Sequence, residues 1–183
     1  VKYLSSLGVD SIEIGAGGYP GTAHIDPAEC LENPAKVQEI KDILKKYNMK
    51  FSAFACHGNP VHPNKAFAEK SHSEFINAMK AAVLFGADTV VGFSGCPGDC
   101  KNSENPNWVT CAWPPEYLDI LNWQWDEVLI PYWKKTAEIA AEIGIKHIAF
   151  EMHPGFCVYN PRTLMKLRDA AGDIIGANVD PSH

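Results

Sequence analysis

The 183-residue sequence predicts a single α/β domain that forms part of a (β/α)8 barrel, with parallel strands two to six present. Three observations predict this fold class. A helix–turn–strand unit recurs four times, the strands are short and almost continuously apolar, and the long polar loops follow strands rather than helices. Alternating helices and strands build parallel sheets through right-handed crossovers, and barrels carry their functional loops where the strands end.

The recurring unit is recognised by the residue that ends each helix. An apolar helix end is followed by Gly8, Gly86 or Gly144 in three units and by Asn48 in the fourth, and an apolar strand begins within a few residues. Gly and Asn adopt the left-handed backbone that terminates a helix more readily than other residues do. We therefore expect each helix to enter its following strand through a minimal turn.

Caps and spacing place the elements along the chain. Asn33-Pro34 and Asn160-Pro161 each predict a helix start, because Asn caps a helix and Pro suits its first position. Apolar residues at helical spacing predict two further helices, one around Phe75 and Met79 and one spanning residues 128–143. Apolar runs between the helices predict five strands, at residues 11–15, 50–55, 89–93, 147–151 and 175–179.

The strand count separates two architectures. A complete barrel has eight strands in about 250 residues, so we expect one strand before Val1 and two after His183, and we treat residues 1–183 as one barrel domain truncated at both ends. The alternative is a complete five-stranded doubly wound sheet, in which the strand order reverses. An open barrel exposes sheet edges and an apolar lumen, so we also expect self-association as a homo-oligomer.

Composition argues against nucleic-acid and membrane partners. The net charge is −6 without a Lys/Arg cluster, so a basic binding face is not expected. No apolar run reaches the ~20 residues that span a bilayer, and the first residues lack a signal-peptide layout. We therefore expect a cytoplasmic protein with reduced thiols. A zinc site or disulfide among Cys96, Cys100 and Cys111 is the alternative, although their spacing is not that of a zinc-finger pair.

Two predicted strands end on carboxylates. Lys146 to Glu151 is an apolar run that stops on Glu151, and Ile175 to Asp180 stops on Asp180, with His183 three residues later. Parallel strands deliver these side chains to one edge of the sheet. Carboxylates and an imidazole suit Mn²⁺, Mg²⁺ or Co²⁺, so the sequence predicts a site for one divalent metal ion.

Three segments resemble the sugar phosphate isomerase/epimerase family, the xylose isomerase-like or AP endonuclease 2 superfamily of TIM barrels. They are Cys56-His-Gly-Asn-Pro-Val-His-Pro63, Phe150-Glu-Met-His-Pro-Gly155 and Asn178-Val-Asp-Pro-Ser-His183. The resemblance implies a divalent ion held by Glu, Asp, His and Glu at the ends of strands five to eight. Glu151 matches the first ligand and Asp180 the second, and the remaining two would lie beyond residue 183.

The resemblance implies a metal-dependent isomerase or epimerase acting on a small carbohydrate, such as a ketose, an inosose or a sugar phosphate. The ion would polarise a carbonyl, and Glu151 would remove the neighbouring proton through an enediolate. We expect His57, His153, His183 and Trp113 to contact the substrate. In plainer interpretations, Glu151 is a loop acid, Asp180 is a helix cap, and His57 and His153 are turn residues.

Three other functions stay open. A related lyase or dehydratase, acting on a keto-inositol or a 3-keto-glycoside, would begin with the same proton abstraction. An AP-endonuclease-like phosphodiesterase needs more metal ligands, whereas the segment Val91-Gly-Phe-Ser-Gly95 offers no Glu and the chain has no basic DNA-binding face. A non-catalytic binding module is the third alternative.

Overall fold

One parallel sheet organises the protein. The computed structural model describes residues 1–182 and places the strands in the order β1-β2-β3-β4-β5, each parallel to its neighbours. The strands are β1 (Ser11–Gly18), β2 (Lys50–His57), β3 (Thr89–Gly92), β4 (His147–Glu151) and β5 (Ile175–Asn178). Spatial order follows chain order without reversal, so the doubly wound alternative is wrong and the partial-barrel prediction is confirmed.

Helices connect the strands in the predicted places. They are α1 (Lys2–Ser6), α2 (Pro27–Glu32), α3 (Pro34–Lys46), α4 (Lys65–Leu84), α5 (Pro115–Trp123), α6 (Ile130–Ile143) and α7 (Pro161–Ala171). The Asn33 and Asn160 side chains cap α3 and α7 as expected, and Thr163 completes a capping box with Asn160. The helix end predicted before Gly8 corresponds to α1, whereas the short helix α2 and the separate helix α5 were not individually predicted.

The predicted turns between helix and strand are confirmed by backbone conformation. Gly8, Gly86 and Gly144 have φ angles of 82°, 79° and 103°, and Asn48 has a φ angle of 49°. These values lie in the left-handed region that Gly and Asn tolerate at a helix end. Each tight turn therefore starts its strand at the same end of the sheet, and the long loops gather at the opposite end.

Two strands end later in the structure than the sequence predicted. β1 continues to Gly18 rather than stopping at residue 15, and β2 reaches His57 rather than residue 55. Gly18 pairs with His57 after a register shift, a backbone irregularity that the glycine-rich segment 15–18 permits. This extension carries His57 into the sheet instead of leaving it in a turn.

A π-helical segment, Gln124–Leu129, joins α5 to α6. Pro131 lies in the first turn of α6, where its missing N–H costs least. A wider π-turn before the proline lets one helical rod continue through a residue that would otherwise interrupt it.

The two faces of the sheet have different side chains. The outer face carries large apolar residues, including Phe54, Ile148 and Phe150, which are fully buried in the main core with the helices. The inner face carries a separate cluster of small residues, namely Ala53, Ala55, Val91 and Ala149. Small inner residues leave room above them at the carboxyl ends of the strands.

Trp133 anchors the loop after β3 to the core. Its ring is fully buried and packs edge-on against Phe150, with centroids 4.5 Å apart. Its indole Nε1–H donates to the Ser94 carbonyl oxygen at 2.8 Å. The Ser94 hydroxyl in turn accepts a hydrogen bond from the backbone N–H of Val158 at 2.9 Å, which joins the loops after β3 and β4.

Replacing Trp133 with Phe should lower the free energy of unfolding by about 1–3 kcal/mol, because the buried Ser94 carbonyl would lose its indole donor. Urea unfolding measures the loss. Trp113→Phe is the matched control, since Trp113 is 74% exposed and its replacement should change stability by less than about 0.5 kcal/mol. Equal stability of the two variants would contradict the role assigned to the hydrogen bond.

Candidate active site

A histidine–glutamate pair lies at the carboxyl ends of two strands. His57 is the last residue of β2 and Glu151 the last residue of β4, 94 positions apart in sequence. The His57 Nε2 and Glu151 Oε2 atoms are 2.9 Å apart, and the side chains are only 10% and 17% exposed. The structure therefore brings together two residues that the sequence placed in the site separately.

The protonation of His57 follows from its surroundings. Burial lowers the pKa of His57, although the Glu151 carboxylate opposes the shift by attraction and hydrogen bonding. The imidazole is therefore neutral near pH 7, and with its proton on Nε2 it donates to Glu151. A neutral donor orients the carboxylate without cancelling its charge.

Glu13 and Asn178 extend the site along the same face of the sheet. Glu13 pairs with Ala53 of the inner face, and Asn178 pairs with Glu151. Paired residues of neighbouring strands point to the same face, so Glu13 and Asn178 share the inner face with His57 and Glu151. Desolvation, reinforced by repulsion from Glu151, raises the pKa of Glu13, while a hydrogen bond from Asn178 Nδ2 opposes the shift. That bond joins Asn178 Nδ2 to Glu13 Oε2 at 3.4 Å.

Sequence reasoning missed Glu13, although a signal was present. Glu13 stands between Ile12 and Ile14 in an apolar strand, where a charged residue must point away from the core. In a barrel strand that direction is the inner face. Asn178 was noted only as the first residue of a family-like segment, because its place beside Glu151 depends on the pairing of β4 with β5.

An aromatic cluster lies beside the pair. The Phe93 ring centroid is 4.5 Å from that of His57, 5.2 Å from that of His153 and 4.1 Å from the stacked ring of Phe156. Trp108 Nε1–H donates to the Phe156 carbonyl oxygen at 2.9 Å, which fixes the loop that carries the cluster. Phe93 and Phe156 were not predicted, since an isolated aromatic after a strand is usually core.

The other predicted substrate contacts have different positions. His153 lies in the aromatic cluster, half-buried, with its Nδ1 2.6 Å from the Pro154 carbonyl oxygen. Trp113 is 74% exposed and lies in the loop between β3 and α5. His183, predicted to contact the substrate, lies outside the described residues.

The predicted metal ligands occupy adjacent strands. Glu151 ends β4, and Asp180 follows two residues after the end of β5, where its Oδ1 accepts from the Ser182 N–H at 2.8 Å. Two carboxylates fit the oxygen preference of a hard divalent ion. Within residues 1–182 no group of three or more His, Cys, Asp and Glu side chains is arranged to hold a metal, so these two residues supply at most part of a coordination shell.

Cys96, Cys100 and Cys111, for which a zinc site or a disulfide was the alternative, lie in the loop after β3. All six cysteines are free thiols, and Cys96 is buried whereas Cys100 and Cys111 are exposed. Cys96 instead neighbours the buried Cys157, whose N–H donates to the Gly95 carbonyl oxygen at 3.0 Å. The hydrogen bond between the thiols lowers the pKa of Cys96, and the same hydrogen bond together with burial raises that of Cys157.

The geometry agrees with a family assignment. The family model described as xylose isomerase-like TIM barrel matches residues 1–183, and the chain belongs to this family. The uncharacterized protein YfiH of Bacillus subtilis (strain 168) is 39% identical in an alignment of 186 residues that covers 100% of this chain and 59% of YfiH. The chain thus spans somewhat more than half the length of that relative.

Solved structures share the fold at low identity. One is a xylose isomerase-like TIM-barrel protein from Mycobacterium smegmatis in complex with magnesium, with a TM-score of 0.61 at 15% identity. The match covers 98% of this chain and 54% of the Mycobacterium smegmatis chain. The probable 3-DHS dehydratase AsbF of Bacillus anthracis has a TM-score of 0.61 at 13% identity, over 97% of this chain and 54% of its own. A D-allulose 3-epimerase from Methylomonas sp., in complex with D-allulose, has a TM-score of 0.59 at 16% identity, over 95% and 52%.

The helices give one further negative finding. None of those in the described part of the chain combines the length and the apolar character that crossing a membrane requires.

The position of His57 depends on Gly18, which suggests a test of the site. Gly18 has a φ of +64°, and a Cβ there would lie 1.8 Å from the His57 carbonyl oxygen. Gly18→Ala should therefore lower the free energy of unfolding by about 2–5 kcal/mol, the sum of left-handed strain and a backbone clash.

Gly21→Ala is the matched control for Gly18→Ala. Gly21 has a similar φ of +71°, but nothing lies within 4 Å of its added Cβ. Only the left-handed strain of about 1–2 kcal/mol should appear in its urea unfolding curve. If both variants lose the same stability, the close approach of Gly18 to His57 is not a constraint on the site.

Proposed function

We propose that the protein acts as a sugar isomerase or epimerase in which Glu151 removes a proton next to a carbonyl group. The observation that carries the proposal is the His57–Glu151 hydrogen bond of 2.9 Å at the carboxyl ends of β2 and β4. A partly buried carboxylate held by a neutral imidazole has the position and chemistry of a general base. Membership in a family whose structural relatives include epimerases supports the reaction class.

A small carbohydrate is the proposed substrate. The rings of Phe93 and Phe156 stack with centroids 4.1 Å apart beside His57, and such a wall suits the apolar face of a sugar. His57, His153 and, from the sequence, His183 and Trp113 would meet its hydroxyl groups. The D-allulose bound to a structural relative supports this substrate class.

One divalent ion, Mg²⁺, Mn²⁺ or Co²⁺, is the proposed cofactor. Glu151 and Asp180 would hold it, together with oxygen atoms of water or of the substrate. When bound, the ion would supply Lewis-acid polarisation of the substrate carbonyl. The magnesium complex of a structural relative supports this class of cofactor.

The side chains of this chain divide the remaining work. Glu151 accepts the proton from the carbon beside the carbonyl, and the His57 Nε2–H holds Oε2 so that the carboxylate keeps its direction. The Phe93 ring, packed on the imidazole, limits access of water from that side of the pair. Glu13 adds a second carboxyl group with a raised pKa on the same face.

Elimination is the second candidate reaction. Loss of water from the carbon next to the abstraction site would use the same base, and the fold is shared with a probable dehydratase. Mass analysis of the product distinguishes the two, because isomerisation leaves the elemental composition unchanged apart from exchange of the abstracted proton with solvent, whereas dehydration removes one water molecule. An acidic chain with a net charge of −6 does not favour the phosphodiesterase alternative on DNA.

The cell compartment and the assembly complete the proposal. Six free cysteines support a reducing, cytoplasmic setting. A homo-oligomer is proposed because the edge strands β1 and β5 each pair on one side only within residues 1–182. Sedimentation of the purified protein over a range of concentrations tests the assembly.

Glu151→Gln should lower turnover by at least ~10²-fold, because one general base contributes about that much. The measurement is exchange of the substrate α-proton with deuterated solvent in the presence of Mn²⁺. Glu138→Gln is the control, since Glu138 lies on the exposed side of α6 and should leave exchange unchanged. Exchange that survives Glu151→Gln undiminished would reject Glu151 as the base.

Asp180→Asn should act through metal affinity rather than through the proton transfer. The Mn²⁺ concentration for half-maximal activity should rise at least ~10-fold, the lower bound for disturbing a ligand shell. Saturating Mn²⁺ should then restore most of the turnover, which it should not do for Glu151→Gln. Asp169→Asn in α7 is the control, and an unchanged Mn²⁺ requirement in Asp180→Asn would remove Asp180 from the metal site.

A further inference from the structure

The protein has a cavity that neither His57 nor Glu151 lines. Its volume is about 620 Å³, and it opens between the loop after β3, the π-helical segment and the start of α7. Tyr159 lines it and contacts Trp108 edge-on, and Trp108 donates to the Phe156 carbonyl oxygen. Through Trp108, the cavity lining is thus connected to the loop that carries the aromatic cluster next to His57.

The charge of the cavity lining is positive. Arg162 and Lys166, one helical turn apart on α7, both line the cavity, and none of its lining residues is Asp or Glu. This is unexpected in a chain with a net charge of −6. Another surface cavity, between α6 and α7, mixes Lys134 with Glu138, Asp169 and Asp173. An anion would therefore meet attraction without a competing carboxylate in the first cavity.

Both cations are available to a ligand. The Lys166 ammonium lies 4.3 Å from the ring centroid of Trp125, an indole that is itself only 2% exposed. This contact fixes the position of the charge without neutralising it. Arg162 has no hydrogen bond or ion pair with any residue in the described range 1–182. A guanidinium without a partner can present two parallel N–H groups to an oxyanion.

Neutral polar groups complete the lining. Thr110, Tyr159 and Asn160 line the same cavity and add a hydroxyl, a phenol and an amide. The apolar part consists of Val109, Ala112, Leu121 and the buried ring of Trp125. A cavity lined by both cationic and apolar side chains suits an organic anion better than a bare ion.

We propose that this cavity binds the oxyanionic group of a small organic molecule, a phosphate monoester or a carboxylate, through Arg162 and Lys166. The site goes beyond the proposed isomerase function and does not depend on it. Its ligand contacts α7 and the loop after β3, whereas the proposed reaction uses the inner face of the sheet.

Isothermal titration of the protein with inorganic phosphate, with glycerol 1-phosphate and with citrate tests the proposal. Arg162→Gln and Lys166→Gln should each raise the dissociation constant of the bound anion at least ~10-fold, since each removes a charge-assisted contact. Lys134→Gln is the matched control, because it removes the same charge from the neighbouring cavity. Circular dichroism verifies that the variants fold.

The outcomes separate the ligand classes. Tighter binding of glycerol 1-phosphate than of citrate identifies a phosphate site, and the reverse identifies a carboxylate site. No heat with any of the three anions overturns the proposal, as does an equal loss of affinity in Lys134→Gln. Unchanged anion affinity in Glu151→Gln would support a site separate from the proposed active site, whatever the fate of the isomerase proposal.

Discussion

The segment Ser94–Cys96 holds the loop end of the sheet together through buried hydrogen bonds. The Ser94 carbonyl accepts from Trp133 on α6, and its hydroxyl accepts from Val158 after β4. The Cys96 backbone exchanges two hydrogen bonds with the Asn59 side chain after β2, at 2.9 and 3.0 Å. Three long loops without regular structure are thereby joined at one buried point. Any buried polar group left unpaired there would cost about 1–3 kcal/mol, so the loops are held in one arrangement.

This constraint positions the proposed active site. Asn59 follows His57 by two residues and Val158 follows Glu151 by seven, so the network fixes the chain directly after His57 and within the loop that follows Glu151. Phe93 immediately precedes Ser94 and packs on the imidazole. The pair therefore rests on strand ends that the loops cannot easily displace. Pre-positioned groups of this kind lower the cost of ordering a catalytic side chain during a reaction.

The sheet separates stability from function. Large side chains on the outer face bind the helices, whereas small ones on the inner face leave space for Glu13, His57, Glu151 and Asn178. The same architecture serves an epimerase and a probable dehydratase among the structural relatives. The reaction must therefore be decided by side chains at the strand ends rather than by the fold.

Much of the fold could be predicted because its signals are local. Glycine or asparagine after a helix, asparagine and proline before one, and continuous apolar runs each act over a few residues, and together they gave all five strands in their parallel order. Glu151 and His57 could be placed at the loop edge for the same reason, since each stands where a strand ends. That Glu151 and Asp180 hold a metal ion and that His183 contacts the substrate stay predictions.

Contacts between distant residues could be decided only by the tertiary structure. The 2.9 Å contact of His57 with Glu151 depends on the register of two strand pairs, β2 with β3 and β3 with β4. The proximity of Cys96 and Cys157 depends on how the loops after β3 and β4 meet. Glu13 belongs to the site because its position in β1, paired with Ala53, places its side chain on the inner face of the sheet. Sequence alone determined which residues reach the loop end of the sheet, and the packing of the chain decided which of them meet, because register and loop crossing have no local sequence signal.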